Sequence, residues 1–390
     1  MAMQNADTVT SRRMYEPYLE AAWGLKNHWY PAAFSKEIAE DEVKAVQIIG
    51  VPIVLRRADG KTHALRDQCI HRGVKLSARP TCLTKNTLTC WYHGFTYDLE
   101  TGNLRTILAA PNDELIGNAA IQVFPVQEHN GMIFVFVGDP GYEPVPLLED
   151  DLPMRMPRDY EHRVAHPLDE NTVLLGIHRT GNANWRLAVE NGFDPGHQMV
   201  HANSQMVRMN DMSLPIGLTP LSDKAVKVLD EGGPKGIMNM VEHYDWVWSN
   251  EEMGVAVQGN NAPPAGLRTS MYLPGTLMVE NWPAHGLVQY EWYVPIDDTH
   301  HEYWEVLAKE CNSPAEKKAF EQDVENLWEP VALRNFNDDD LFAREAMEPF
   351  YANGGGRGWE DEMLCSMDAV IVGWRKVASR YNRGIQSPPN

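Results

Sequence analysis

"DQCIHRG" at residues 67–73 and "TCWYHGF" at 89–95 each supply one cysteine and one histidine, closed by a glycine. Cys69 and His71 make C-x-H, Cys90 and His93 make C-x-x-H, and eighteen residues separate His71 from Cys90. Two cysteines and two histidines satisfy a tetrahedral zinc. Zinc loops, however, usually bring a matched pair each, and here each loop is mixed. The two thiolates can then converge on one metal and the two imidazoles on another, which is how a [2Fe–2S] cluster with mixed ligation is divided. Gly73 and Gly94 let both loops close tightly over it. Cys82, alone between the loops, reads as a small buried side chain.

A chain of 390 residues with 43% hydrophobic content has room for two domains. No apolar run approaches the roughly 18 residues of a membrane span; "AVQIIGVPIVL" at 45–55 is short and interrupted by Gly50 and Pro52. The polar start "MAMQNADTVTSRR" has no apolar signal segment, so a cytoplasmic protein is expected. Five scattered cysteines make no disulfide framework and favour metal or catalytic use. A net charge of −20 argues against nucleic acid and against an anionic membrane surface as partners. Residues 35–110 nevertheless hold eleven Lys and Arg against eight Asp and Glu, and that locally basic segment suits an acidic docking partner.

From about 45 to 137 short β-type runs alternate with turn signals. "VQIIGVPIVLRRADGKTHALR" predicts a hairpin around Asp59-Gly60, and "GMIFVFVG" at 131–138 a buried strand. The Pro-, Gly- and acid-rich "GDPGYEPVPLLEDDLP" at 138–153 marks a boundary. A helix is expected around 184–203, a strand in "GLVQYEWYVPI" at 286–296, and a capping box from Ser313 and Glu316 with Pro314 first in the helix. The expected architecture is α+β: an all-β domain over 35–150, and a second domain made of 1–34 and 151–390.

A cluster only carries electrons, so the second domain should use them. In "NWRLAVENGFDPGHQMVH", residues 184–201, His197 and His201 stand four apart, which on a helix places both on one face. A surface pair has the same spacing; a carboxylate completing a facial triad is what would mark an oxygen-activating iron. Asp338, Asp339 and Asp340 in "NFNDDDLFAREAM" all offer one, and spacing does not choose among them.

C-x-H with C-x-x-H, followed by E-N-x-x-D-x-x-H-x-x-x-H at Glu190, Asn191, Asp194, His197 and His201, resembles the α subunits of Rieske non-haem iron aromatic-ring oxygenases. The likeness runs from "NHWYPAAFSKEI" to "AVIVGWRKVAS" and is greatest to the members that act on carbazole. It implies an antiparallel, helix-grip-like sheet flanked by helices in the second domain. It also implies a Rieske cluster on Cys69, His71, Cys90 and His93, mononuclear Fe(II) on His197, His201 and Asp340, and a bridging role for Asp194 between neighbouring subunits of a homotrimer. Dioxygen is the implied co-substrate, and electrons from NAD(P)H arrive through a reductase and a ferredoxin. The implied reaction is dihydroxylation of a polycyclic aromatic such as carbazole, dibenzofuran, a dioxin or fluorene. A monooxygenase with the same metals is the alternative, and a zinc-stabilised binding module is a further one. Gly192, Phe193, Trp282, Gln289, Glu291 and Phe336 are the expected pocket residues, although aromatic side chains of this kind more often fill cores.

Overall fold

The computed structural model describes residues 15–154, 165–209, 215–220, 223–229, 235–240, 244–250, 254–258, 268–352 and 358–388. It divides into two units. One spans Lys26–Leu148; the other comprises Glu149–Ser387 with the segment up to Leu25. No helix among the described residues is long and apolar enough to cross a membrane.

The first unit is all-β and holds three small sheets. Strands Val43–Ile48, Val51–Ala58 and Lys61–Arg66 follow one another through two-residue turns. At the second turn, Asp59 and Gly60 have φ of 52° and 73°, the left-handed pair that matches strand twist. The sequence gives a hairpin there, but a second turn at Ile49-Gly50 (φ 46° and 75°) splits the first half of that stretch into two strands. A β-branched residue rarely takes positive φ, which is why Ile49 reads as strand. Cys69, Cys90, Phe95, Tyr97 and Leu104 share the unit's core. Cys82 is exposed rather than buried, because it lies in the loop after Pro80 and before strand Thr87–Thr89, outside that core.

The second unit is built on an antiparallel sheet of seven strands. Their order is Thr172–Gly181, His301–Glu310, Val288–Pro295, Thr276–Glu280, Arg268–Tyr272, Gly236–Asn239 and Val226–Leu229. Strand Val288–Pro295 is buried along its whole length, so its polar residues must be satisfied inside the protein. Four helical elements position the site: α1 (Trp185–Phe193), a π-helical segment (Val324–Phe336), α2 (Asn337–Ala352) and α3 (Ala369–Tyr381). Helices α1 and α3 pack on the sheet through Trp185, Val189, Phe193, Val370, Trp374 and Val377, against Met271, Leu277, Tyr293 and Tyr303.

The expected helix over 184–203 is shorter than the spacing suggests. It ends at Phe193, and a 3₁₀ turn, His197–His201, follows Pro195 and Gly196. The cause is Pro195, which disfavours helical geometry at Asp194; that residue is extended, with φ −66° and ψ 119°. Ser313 caps the helix Pro314–Asp323 by accepting from Glu316 N, but the Glu316 carboxylate returns to Asn312 N instead of Ser313.

Glu190 on α1 and Arg375 on α3 form a buried two-armed ion pair, with N···O distances of 2.7 and 2.9 Å, and Glu362 binds the same guanidinium at 2.7 and 2.8 Å. Removing the cation strands two buried carboxylates. Arg375→Ala is therefore expected to cost about 3–5 kcal/mol of stability, read as a lower midpoint of thermal unfolding.

Candidate metal centres

The two Cys/His loops of the first unit are built alike. Cys69 N donates to Val74 O and Gly73 N to Cys69 O; Cys90 N donates to Phe95 O and Gly94 N to Cys90 O, all at 2.7–3.0 Å. Gly73 and Gly94 both take positive φ, 72° and 74°, so each loop turns back four residues after its cysteine. At Gly94 a side chain is excluded outright, since a Cβ would lie 2.5 Å from Leu108 Cβ.

These loops sort their donors by burial. Cys69 and Cys90 are 1% and 2% exposed, while His71 reaches the surface. The Nδ1 atoms of His71 and His93 face each other at 3.1 Å, and His71 stacks on Phe95. Tyr97 Oη lies 3.2 Å from Cys69 Sγ and accepts from Ile70 N. Burial pushes the Cys69 thiol up, and the Tyr97 hydroxyl opposes it by favouring the thiolate.

A single zinc would gather all four donors within about 4 Å of one another. Among the described residues, however, the only group of three or more His, Cys, Asp and Glu donor atoms within 4.8 Å is His197, His201 and Asp340. The loop donors instead fall into a buried thiol pair and an outward imidazole pair, which fits two metals and not one.

In the second unit, Asp340 Oδ1 lies 3.3 Å from His197 Nε2 and 3.4 Å from His201 Nε2. Both ring nitrogens of His201 and Oδ1 of Asp340 are buried without a hydrogen-bond partner, and a cation at their meeting point supplies what is missing. His197 Nδ1 donates to the Asp194 carbonyl at 2.5 Å, which leaves Nε2 as its free donor atom. The acceptor is the peptide oxygen of Asp194 and not its carboxylate, the group a bridging role would use, because the carboxylate is turned to Gly196 N at 2.7 Å. Sequence spacing cannot distinguish the two oxygens of one residue.

The three aspartates separate cleanly. Asp340 meets both histidines, Asp339 Oδ2 lies 3.6 Å from His201 Nδ1, and Asp338 pairs with Arg179. Arg179 also holds Glu305 at 2.8 and 3.0 Å and Leu333 O at 2.9 Å, while Asn337 Nδ2 donates to Glu305. That clasp fixes the junction between the π-helical segment and α2. Burial raises Glu305 to about 8, against the pull of Arg179.

Behind Asp340, one turn along α2, the fully buried Arg344 donates to Asn191 Oδ1 at 2.6 Å and lies over the rings of Tyr303 and Tyr293. Glu291 accepts from Gln289 at 2.5 Å, Tyr293 at 2.5 Å and Tyr303 at 2.8 Å, with Arg344 3.8 Å away. Gln289 and Glu291 thus sit in a buried polar network. Gly192 packs so closely that a Cβ would meet Tyr293 Oη at 1.9 Å, and Phe193 belongs to the main core. Phe336 stacks on His201 at 3.7 Å and 8°, and Trp282 lies 5.0 Å from Phe336, within a small apolar cluster with Met206, Val207, Val331 and Ala332. Sequence reasoning missed Arg344, Glu305 and Arg179. Their charges alone, among many, carry no mark of burial.

Burial alone would lower His197, but the Asp340 carboxylate and Asp194 outweigh it and raise it to about 9. In the metal-free protein this pairing contributes stability that is full below the ordinary imidazole value and is lost as pH rises through about 9. A metal takes only the neutral imidazole, so its affinity has the opposite slope. Cobalt(II) binding to metal-stripped protein is expected to tighten roughly tenfold per pH unit between 6 and 8, with one proton released per ion, as measured by titration in two buffers of different ionisation enthalpy.

Residues 28–125 match the Rieske [2Fe–2S] domain and residues 136–386 the homotrimeric ring hydroxylase family. The chain is 43% identical over 391 residues to the terminal oxygenase component of carbazole 1,9a-dioxygenase from a Sphingomonas species, covering 98% of this chain and 99% of that one. Among solved structures, a 2-oxoquinoline 8-monooxygenase component with a Rieske [2Fe–2S] centre superposes with a TM-score of 0.93 at 49% identity, covering 100% of this chain and 93% of that one. The oxygenase in a reduced complex with ferredoxin of carbazole 1,9a-dioxygenase gives 0.86 at 40% identity, covering 99% and 97%.

Proposed function

We propose, because the chain belongs to the Rieske-type homotrimeric ring hydroxylases, that it is the terminal oxygenase of a multicomponent dioxygenase acting on a fused, nitrogen-containing aromatic of the carbazole kind. The family's cofactors are a Rieske [2Fe–2S] cluster and a mononuclear iron. We assign Cys69 and Cys90 to one cluster iron, His71 and His93 to the other, and His197, His201 and Asp340 to the mononuclear site. Bound at that triad, ferrous iron supplies activation of dioxygen with electrons delivered through the cluster.

The observation that carries the reading is the convergence of two imidazole nitrogens and one carboxylate oxygen, with Phe336 stacked on His201 and Trp282 beside Phe336. Three protein donors leave positions open for dioxygen. Asp194 O holds His197 in the tautomer that presents Nε2 inward. Attack at the ring-fusion carbon bonded to nitrogen, and at its neighbour, gives a hemiaminal; loss of the amine then opens the five-membered ring. One dioxygen and two electrons with two protons balance the diol.

The donor is a ferredoxin, fed by a reductase from NAD(P)H, and it docks where the locally basic segment 35–110 exposes His71. The free cysteines and the dependence on reduced nucleotide suit the cytoplasm. The trimer is the working form. On the catalytic unit Met199, Met363 and Met367 are exposed, and Met367 Sδ packs against Gly196 beside Asp194; on the cluster unit Trp91 and Tyr92 flank His93 in the open. These two patches suit a head-to-tail contact between neighbouring chains.

A second reading is favoured by the likeness to the 2-oxoquinoline enzyme: hydroxylation of a bicyclic nitrogen heteroaromatic with one oxygen atom. Turnover under ¹⁸O₂ with each substrate separates them. Two labelled atoms in the ring-opened product of carbazole are expected; a single labelled hydroxyl on a quinolinone, with carbazole untouched, would replace the first reading by the second.

Asp194 gives the remaining prediction. Its peptide oxygen is used by His197, and its half-buried carboxylate keeps acceptor capacity for a Rieske histidine of the next subunit. Asp194→Asn is expected to keep both metals and a reducible cluster while slowing substrate oxidation by about two orders of magnitude. Single-turnover reoxidation of the pre-reduced cluster at the parent rate would reduce Asp194 to a turn residue.

A further inference from the structure

We propose that Asp339 is a positioning residue for His201: its carboxylate accepts the outer N–H of that imidazole in the metal-loaded protein and so fixes Nε2 toward the metal. This rests on the ligand reading above. Consecutive helical residues point about 100° apart, so the three aspartates that open α2 face three ways. Asp340 faces both Nε2 atoms, and Asp338 is exposed and taken by Arg179. Asp339 is half-buried, with Oδ2 3.6 Å from His201 Nδ1.

His201 is fully buried and its Nδ1 has no hydrogen-bond partner. The other ligand histidine already has an outer acceptor in the Asp194 carbonyl. Phe336 fixes the plane of the His201 ring by stacking at 8°. A shift of about 0.6 Å of the half-buried Asp339 side chain closes Nδ1–H···Oδ2 to hydrogen-bond length. The two imidazoles are then held unequally, one by a neutral carbonyl and one by a carboxylate, which makes His201 the stronger donor.

The test uses the full-length protein with its cluster intact and the mononuclear site stripped, titrated with cobalt(II) against a chromophoric chelator while the ligand-field bands are recorded. Asp339→Ala is expected to weaken cobalt binding about 10–100-fold and to shift those bands, with unchanged cluster absorption and melting temperature. Asp339→Asn, whose amide oxygen still accepts a hydrogen bond, should fall between it and the parent, and it carries the comparison where the alanine variant folds poorly. Asp338→Asn, which removes the same charge and keeps an acceptor for Arg179, should bind as the parent does. Parent affinity and parent bands in Asp339→Ala would overturn the proposal, as would an equal loss in Asp338→Asn, which would mark a general charge effect. Parent affinity in Asp340→Ala would overturn the ligand reading instead.

Discussion

One carboxylate oxygen, Asp340 Oδ1, stands within 3.4 Å of two buried imidazole nitrogens, and much of the second unit is arranged to keep it there. Burial alone would favour the neutral acid, but His201, His197 and Arg344 hold its pKa well below the usual carboxylate range. The oxygen therefore arrives at the site as an anion whose natural complement is a cation. Everything else about α2 follows from delivering that anion at the right height. The Arg179–Glu305–Asn337 clasp sets the first turn, and Arg344 bound to Asn191 ties the next turn to α1.

Such a network is costly to assemble, since each buried charge is stable only with partners in place. The cost is met by mutual saturation. Glu291 takes hydrogen bonds from two tyrosines and Gln289, and Arg344 stands over the same two tyrosine rings. Tyr293 and Tyr303 are paired across adjacent strands, so the sheet itself sets the spacing of these hydroxyls. A sheet and two helices are in this way fastened by polar contacts around one metal position rather than by apolar packing alone.

How much of this the sequence displays depends on the range of the interaction. The Cys/His loops are legible because both donors of each lie within four residues and the closing glycine is local. His197 and His201 are visible for the same reason, though Pro195 replaces the expected helix with a 3₁₀ turn. Asp340 could not be told from Asp338 and Asp339 by spacing, because the choice is made by which way the first turn of α2 faces. Arg344 and Asn191 are 153 positions apart, and no periodicity links them. The π-helical segment that brings Phe336 onto His201 likewise has no local signature beyond Pro330 within it.

The two centres divide their donors by the same logic and to different ends. In the cluster unit the two cysteines are buried while His71 lies at the surface, so the edge open to a partner carries imidazole and not sulfur. In the catalytic unit every donor is buried or half-buried, and the neighbouring surface is apolar on its inner side, with Phe336 and Trp282. An exposed histidine edge suits electron exchange, where contact must be brief and repeated. Asp194 stands at the seam of these requirements: its peptide oxygen serves the triad, while its half-buried carboxylate lies beside an exposed, methionine-rich surface.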